Sequence, residues 1–212
     1  MLHEGGGRLV DFSNQSIAVD KLRLDLENPR LYAMRLAGHP PQTEEELERA
    51  ITTNDSGSGT DEAFRSLHKA VKKQGVRDPI WVKDNGDDTF LVIEGNRRTT
   101  VLRALLNEGV APPPGVRYDA VSANVMPENS NEVDVKLQKV RLQSGKRAWG
   151  PVNDSAVIHE FHNQLDMAIE DIATEMQISQ TKVKKSLRTY SMYVDYVKTT
   201  GDSNTKRYTF FN

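Results

Sequence analysis

Hydrophobic and polar positions in the first half of the chain follow two patterns, one typical of strands and one of helices. Apolar residues recur at about every second position over residues 16–26, and residues 90–93 form an unbroken apolar run, as in strands that enter a core. Residues 61–74 place apolar side chains on one stripe that ends at Gly75, and the same spacing returns at residues 101–106. These patterns predict two helices among short strands, with a hairpin turn at Asn85-Gly86 and a closing strand over residues 118–125.

The second half of the chain has helical periodicity throughout. Helices are predicted from about residue 132 and over residues 154–165, and residues 169–190 read as two helices joined by a short turn at residues 177–179. A further helix is expected beyond Ser191. The fold class predicted is therefore α+β, with a small mixed sheet and its helices in a domain at residues 1–127 and an all-α domain at residues 128–212.

The connection between the strand at residues 90–93 and the following helix has the chemistry of an anion site. Gly95 allows a tight turn, and the helix that follows presents free N–H groups and the positive end of its dipole at the bend. Arg97 and Arg98 add planar guanidinium groups that match phosphate or carboxylate oxygens. An ordinary strand-to-helix connection with solvated arginines is the alternative.

Composition narrows the classes of protein that the chain can represent. The 212 residues include no cysteine, which excludes a disulfide framework and a thiolate metal site and fits the cytoplasm. No run approaches the roughly 18 apolar residues of a membrane helix, so no membrane partner is expected. The net charge is −2, but acidic residues cluster at residues 43–62 and basic residues in the C-terminal half.

The segment at residues 169–190 fits a helix-turn-helix, although Gln177 takes the place of the usual turn glycine. Its second helix begins after Ser179 and would direct polar and basic residues outward, where Gln and Thr can reach base edges and cations can meet phosphates. A helical hairpin that packs on a partner is the alternative. The candidate DNA-binding residues are Gln180, Thr181, Lys182, Lys184, Lys185 and Arg188, with Lys146 and Arg147 in the preceding loop.

Part of the chain resembles a known protein family: the sequence Ile93-Glu94-Gly95-Asn96-Arg97-Arg98, followed by Arg103-Ala104. It resembles the phosphate-binding box of the ParB/sulfiredoxin superfamily, which in ParB proteins usually reads Gly-Glu-Arg-Arg-x-Arg-Ala. The chain departs from that box because Asn96 stands where the family has its acidic residue, and Glu94 precedes the glycine. Sulfiredoxin chemistry is excluded because it needs a cysteine. The order of elements over residues 17–125 also resembles the ParB N-terminal domain, with residues 31–62 as an acidic insertion and residues 54–60 as a linker.

The resemblance implies a ParB-like DNA-binding protein with a nucleotide-binding N-terminal domain and a helix-turn-helix domain after it. In ParB proteins CTP closes a dimeric clamp on DNA, so the implied ligands are a nucleoside triphosphate, CTP or ATP, with Mg²⁺, and the implied partners are duplex DNA and a second copy of the chain. The implied location is the cytoplasm, on a nucleoid or a plasmid, with plasmid partition, transfer control and defence as alternative roles. The residues that would hold the nucleotide are Asn28, Arg30, Gly95, Asn96, Arg97, Arg98 and Arg103.

Catalysis is the open question at the sequence level. Glu94 is the one acid inside the box, where it could orient water or bind Mg²⁺ for a CTPase or ATPase, or could equally be a structural partner of the arginines. A metal-dependent nuclease or ATPase of a plasmid, phage or defence system is one alternative function. A DNA-binding adaptor with an inert nucleotide fold is another. The apolar ending at residues 208–211 suggests a longer chain or a tail that packs on a neighbour.

Overall fold

A computed structural model of the chain describes residues 11–53, 61–143 and 150–211. By their contacts these residues form two compact units. The sheet unit comprises residues 11–26, 41–53 and 61–131, and the helical unit comprises residues 27–40, 132–143 and 150–211. Within the described residues, no helix has both the length and the apolar content needed to cross a bilayer. The sheet and the helices together confirm the α+β class.

The sheet unit is built on one mixed sheet of five strands. They are β1 (Ser13–Ala18), β2 (Leu22–Leu24), β3 (Ile80–Asp84), β4 (Phe90–Glu94) and β5 (Ala120–Met126). Their order across the sheet is β1-β5-β3-β4-β2. β3 and β4 form the predicted antiparallel hairpin, while β4 is parallel to β2 and β3 is parallel to β5. β1 is antiparallel to β5.

Three helices complete the sheet unit: α2 (Glu44–Thr52), α3 (Glu62–Gln74) and α4 (Asn96–Asn107). α3 and α4 cover one face of the sheet. Phe64 of α3 and Val101 and Leu102 of α4 lie in one core with Ile80 and Val92 of the strands. Two of these helices have a side-chain cap at the N-terminus. Thr43 accepts a hydrogen bond from the Glu46 N–H at 3.2 Å, and Asp61 accepts one from the Phe64 N–H at 2.8 Å.

The helical unit contains α1 (Tyr32–Leu36), α5 (Glu132–Gln143), α6 (Pro151–Asn163), α7 (Ile169–Glu175) and α8 (Gln180–Thr200). Its larger core lies among α5, α6, α7 and α8, with Phe161, Ile172 and Val183 at its centre. A second core is aromatic, and there Tyr193 of α8 meets Tyr208 edge-on with ring centroids 5.4 Å apart. Tyr208 belongs to a 3₁₀ segment, Thr205–Phe211, that folds back onto α8.

Three expectations from the sequence are corrected by the structure. The single strand predicted over residues 16–26 is two strands at opposite edges of the sheet, separated by a 3₁₀ turn at Val19–Lys21. Residues 27–40, assigned from sequence to the first domain, pack in the helical unit, because Tyr32 joins the core of Phe161 and Leu36 joins the aromatic core. The separate helix expected beyond Ser191 is instead the continuation of α8.

Candidate functional site

The turn that begins α4 depends on Gly95. This residue is the N-cap of the helix and has φ 110° and ψ 11°, in the left-handed region that side chains disfavour. A Cβ atom at this position would lie 2.4 Å from Ile80 Cγ2 and 2.8 Å from Ile80 Cβ. Glycine therefore lets the chain leave β4, turn against β3 and start a helix within one residue.

Asn96, the first residue of α4, uses its side chain to hold the turn in place. It is 5 % exposed; its Oδ1 accepts a hydrogen bond from the Asp25 N–H at 3.0 Å, and its Nδ2 donates one to the Val92 carbonyl at 3.1 Å. These two bonds tie the helix start to β4 and to the segment that follows β2. The side-chain amide is therefore buried in internal contacts, whereas the backbone N–H of Asn96 lies in the first turn of α4.

The two arginines of the box are held differently. Arg98 donates to the Asp78 carbonyl at 2.6 Å and forms an ion pair with Glu94, so its guanidinium braces the start of β3 against the end of β4. Arg97 instead bonds Asp61, the cap of α3, with Nη2 and Oδ1 3.0 Å apart. The Nε of Arg97 is buried with no hydrogen-bond partner, a situation that costs about 1–3 kcal/mol.

Arg103, the third predicted phosphate ligand on α4, faces the acidic helix α2. Its guanidinium contacts Glu44 at 2.7 Å and Glu48 at 2.8 Å, and it donates to the Leu22 carbonyl at 2.7 Å. Burial by itself lowers the pKa of Arg103, but the hydrogen bonds to Glu48 and Glu44 outweigh burial and raise the pKa above its ordinary value. These contacts fasten α2 to α4 and β2, and the prediction that Arg103 binds phosphate remains a prediction.

Glu94, the candidate catalytic and metal-binding residue, has its carboxylate on Arg98. The described residues contain no group of three His, Cys, Asp or Glu side chains that could hold a metal ion. In the structure Glu94 is a structural partner of an arginine, which is the alternative role considered for it. Its assignment to catalysis and to Mg²⁺ remains a prediction.

The other predicted nucleotide residues, Asn28 and Arg30, lie in the helical unit. Arg30 is part of a 3₁₀ turn at Pro29–Leu31, in which Pro29 and Leu31 are buried. The four residues at the start of α4 are thus brought together by the sheet unit alone. The assignment of Asn28 and Arg30 to the nucleotide remains a prediction.

The candidate DNA-binding residues of α8 share one exposed surface. The turn before this helix contains Gln177 at φ 54°, the left-handed conformation for which glycine is usual, so the turn forms despite the substitution. Ser179 caps α8 by accepting a hydrogen bond from the Lys182 N–H at 3.1 Å. Six side chains of the first turns are exposed and make no ion pair within the described residues: Gln180, Thr181, Lys182, Lys184, Lys185 and Arg188.

Two basic residues of α5 in the helical unit are neutralised by neighbouring carboxylates. Lys136 pairs with Glu132 at 2.5 Å and also with Glu160, and Arg141 meets Glu175 through two parallel hydrogen bonds of 2.9 and 2.8 Å. The basic run of α5 is therefore a set of internal ion pairs. Lys146 and Arg147, also predicted to contact DNA, lie outside the described residues.

Sequence reasoning missed the role of Asp61 at the box. It identified Asp61 as the start of α3, but the partner Arg97 is 36 residues away in the sequence. The available signal was the surplus of carboxylates in residues 43–62, which contains the partners of both Arg97 and Arg103.

Comparison with protein families gives one match, to the ParB N-terminal domain, over residues 45–118. The matched segment begins in α2 and includes α3, β3, β4 and α4. A comparison with proteins of curated function finds no match.

Several solved structures are similar to the chain. The C-terminally truncated chromosome-partitioning protein ParB from Caulobacter crescentus, complexed to the centromeric parS site, is 12% identical with a TM-score of 0.50, and covers 88% of this chain and 78% of its own. A Pnob8-like ParB-N domain is 9% identical with a TM-score of 0.51, and the match covers 90% of this chain and 75% of that one.

The same C. crescentus protein complexed with CTP-gamma-S is 13% identical, with coverage of 89% of this chain and 87% of that one, but its TM-score of 0.38 is too low to support an argument about ligands. The family match and the two closer superpositions agree on the fold and on the segment that contains the box. Residues 45–118 therefore match the ParB N-terminal domain, and the chain has a ParB-like fold.

Proposed function

We propose that this chain is a ParB-like DNA-binding protein whose sheet unit binds a nucleoside triphosphate at the N-terminus of α4. The observation that carries the proposal is the convergence, at one turn, of a left-handed glycine, the first N–H groups of a twelve-residue helix and the guanidinium of Arg97. Backbone N–H groups and a helix dipole at such a turn favour an anion. The missing side chain of Gly95 makes room for Ile80, so the helix and its free N–H groups can begin directly after β4.

The residues of the box would have different roles in binding the nucleotide. Gly95 and Asn96 would contribute backbone groups, since the Asn96 amide already bonds Asp25 and Val92. Arg97 would contact phosphate oxygens, and Arg98 would hold β3 and β4 so that the turn keeps its shape. The resemblance to ParB proteins makes CTP the expected nucleotide, with ATP as the alternative.

Mg²⁺ is implied by the family rather than by a built cation site. It usually binds through one or two carboxylates together with substrate phosphates, where it neutralises their charge. Glu94 is the carboxylate inside the box, but its ion pair with Arg98 would have to open before it could serve a metal. The residues present fit a phosphate anion better than they fit a protein-held metal, and no catalytic step is assigned to them.

The helical unit supplies the proposed DNA contact. The exposed start of α8 presents four cations with no neighbouring carboxylate partner in the described residues, and Gln180 and Thr181 stand at its first turn. Phosphate contacts by such cations give sequence-independent affinity, while the polar residues can read base edges. The crystal structure of the similar C. crescentus ParB on its centromeric parS site supports duplex DNA as the partner.

Thermal unfolding with Mg²⁺ and each of CTP, ATP, GTP and UTP tests the nucleotide proposal. A ligand at about a hundred times its dissociation constant stabilises the folded state by roughly 2.7 kcal/mol, which raises the midpoint visibly. We expect one nucleotide to raise the midpoint of the wild-type chain and to lose that effect in Arg97→Ala. Arg117→Ala is the matched control, because Arg117 is also ion-paired in the sheet unit but with Asp119.

A flat response of the wild-type chain to all four nucleotides would overturn the nucleotide proposal. The DNA-binding adaptor with an inert nucleotide fold would then be the better description. Loss of the response in Arg117→Ala as well would show that the shift does not report on the box.

A further inference from the structure

Each arginine of the box is matched with its own carboxylate. Arg97 is paired with Asp61 and Arg98 with Glu94, and all four side chains are less than one third exposed. The charges at the start of α4 therefore cancel in pairs. An incoming triphosphate would meet a box whose cations are already engaged by internal anions.

The two pairs differ in how firmly the arginine is held. Arg98 has a 2.6 Å hydrogen bond to the Asp78 carbonyl in addition to its ion pair with Glu94, which lies four residues earlier at the end of β4. Arg97 has Asp61 as its sole hydrogen-bond partner in the described part of the chain, and its Nε is buried without a partner. Arg97 is thus the arginine that gains most by exchanging its anion for one that fills more donors.

Asp61 can release Arg97 without loss of the helix that it caps. Its side chain also accepts from the Phe64 N–H at 2.8 Å, and its backbone N–H donates to the Thr52 carbonyl at 2.8 Å. These bonds fix the start of α3 independently of Arg97. The contact between Asp61 and Arg97 can therefore open while the fold of the sheet unit stays intact.

We propose that Asp61 is an internal competitor of the phosphate ligand, and that a triphosphate binds the box by displacing the Asp61 carboxylate from Arg97. The inference rests on the proposed nucleotide function and adds the residue that sets its affinity. Asp61 lowers affinity for every anion at the box, so only a ligand with several phosphates, which also engages the N–H groups of α4, competes well. A monophosphate would be rejected at the same site.

The substitution Asp61→Asn separates the competing charge from the helix cap. Asparagine caps helices about as well as aspartate, so α3 should remain capped, but the neutral amide no longer neutralises Arg97. We expect the affinity for CTP and for inorganic tripolyphosphate, each with Mg²⁺ and measured by isothermal titration calorimetry, to rise about fivefold, a change typical of losing one partly exposed ion pair. Tripolyphosphate serves as a probe without a base, so an equal gain for both ligands places the competition at the phosphates.

Asp119→Asn is the matched control, because it removes the same charge from the Arg117 ion pair of the sheet unit. It should leave both affinities unchanged. If Asp61→Asn impairs folding, Asp61→Ser replaces it, because serine is an equally good cap without charge.

The outcomes separate the two proposals. Binding by the wild type with equal or weaker binding by Asp61→Asn overturns the role of Asp61 and leaves the nucleotide function standing. No binding of either ligand by wild type or Asp61→Asn overturns both. A gain in Asp61→Asn that survives in the double variant with Arg97→Ala also contradicts the inference, because Arg97 would then not be the group that Asp61 blocks.

Discussion

At position 95 a side chain would be opposed by two independent effects. The backbone has φ 110°, where any residue other than glycine is strained, and the space that a Cβ would occupy is taken by Ile80. The strain costs about 1–3 kcal/mol and the overpacking a similar amount. Both act at the turn where the proposed ligand approaches the backbone.

We predict that Gly95→Ala lowers the free energy of unfolding by about 2–5 kcal/mol, as measured by urea denaturation. Gly109→Ala is the matched control, since Gly109 also has a positive φ of 64° but no atom within 4 Å of an added Cβ. It should cost about 1–2 kcal/mol, from backbone strain alone. Equal losses in the two variants would contradict the close approach of Ile80.

Single residues at the box were only partly predictable from the sequence. Gly95 and Arg97 follow from the succession of strand, glycine and helix, because the physics of a helix start is local. The burial of the Asn96 side chain and the partners of Arg97 and Arg98 were not accessible, because each depends on a segment brought close by the sheet: Asp25, Asp61 and Asp78.

Among the elements, α8 carries the proposed contact with DNA. Lys184 and Lys185 are exposed and unpaired within the described residues, so each can neutralise a phosphate at little cost in lost internal contacts. Every phosphate neutralised releases counterions, and the logarithm of affinity then falls with the logarithm of salt concentration with a slope near −0.9 per contact.

We predict that Lys184→Ala/Lys185→Ala weakens binding to a mixed-sequence DNA duplex about tenfold at low salt and reduces the steepness of the salt dependence by about two. Fluorescence anisotropy over a salt series measures both quantities. Lys72→Ala/Lys73→Ala, on the exposed surface of α3, removes the same charge and should change neither. An equal effect of both double variants would show that net charge, rather than α8, attracts the duplex.

The elements were easier to predict than their connections. The helices α2, α3 and α4 and the hairpin of β3 and β4 follow from caps, stripes and the Asn85-Gly86 turn. The prediction of a single strand over residues 16–26 was wrong. The sequence contained a sign of the break, because the apolar positions change from odd numbers at Ile17 and Val19 to even numbers at Leu22 and Leu24. A strand keeps its buried residues on one parity, so that change marked the break between β1 and β2.

At the scale of the whole molecule, a nucleotide-controlled clamp of the kind that the family resemblance implies would require that nucleotide and DNA influence each other. Any change that a nucleotide makes in the affinity for DNA must be matched by an equal change that DNA makes in the affinity for the nucleotide. That reciprocity distinguishes a coupled protein from two modules that share a chain.

We predict that the nucleotide that stabilises the chain, supplied as its γ-thio analogue to limit hydrolysis, changes the dissociation constant for the duplex by at least about fivefold, the lower range of typical couplings. Duplex DNA should change the nucleotide affinity by the same factor, measured by calorimetry. Arg97→Ala should abolish the effect of nucleotide while retaining DNA binding by α8. Unchanged DNA affinity at saturating nucleotide would leave two independent binding modules.

The continuity of α8 has a mechanical consequence. With 21 residues it is about 32 Å long, and it passes without a break from Gln180, at the proposed DNA contact, to Tyr193 and Val197, which pack with Tyr208 in the aromatic core. If a helix of that length moves as a rigid body, a tilt of about 10° about one end displaces the other end by about 5 Å. Engagement of the DNA end would thus be transmitted as a displacement of the tail at Thr205–Phe211, far from any base pair.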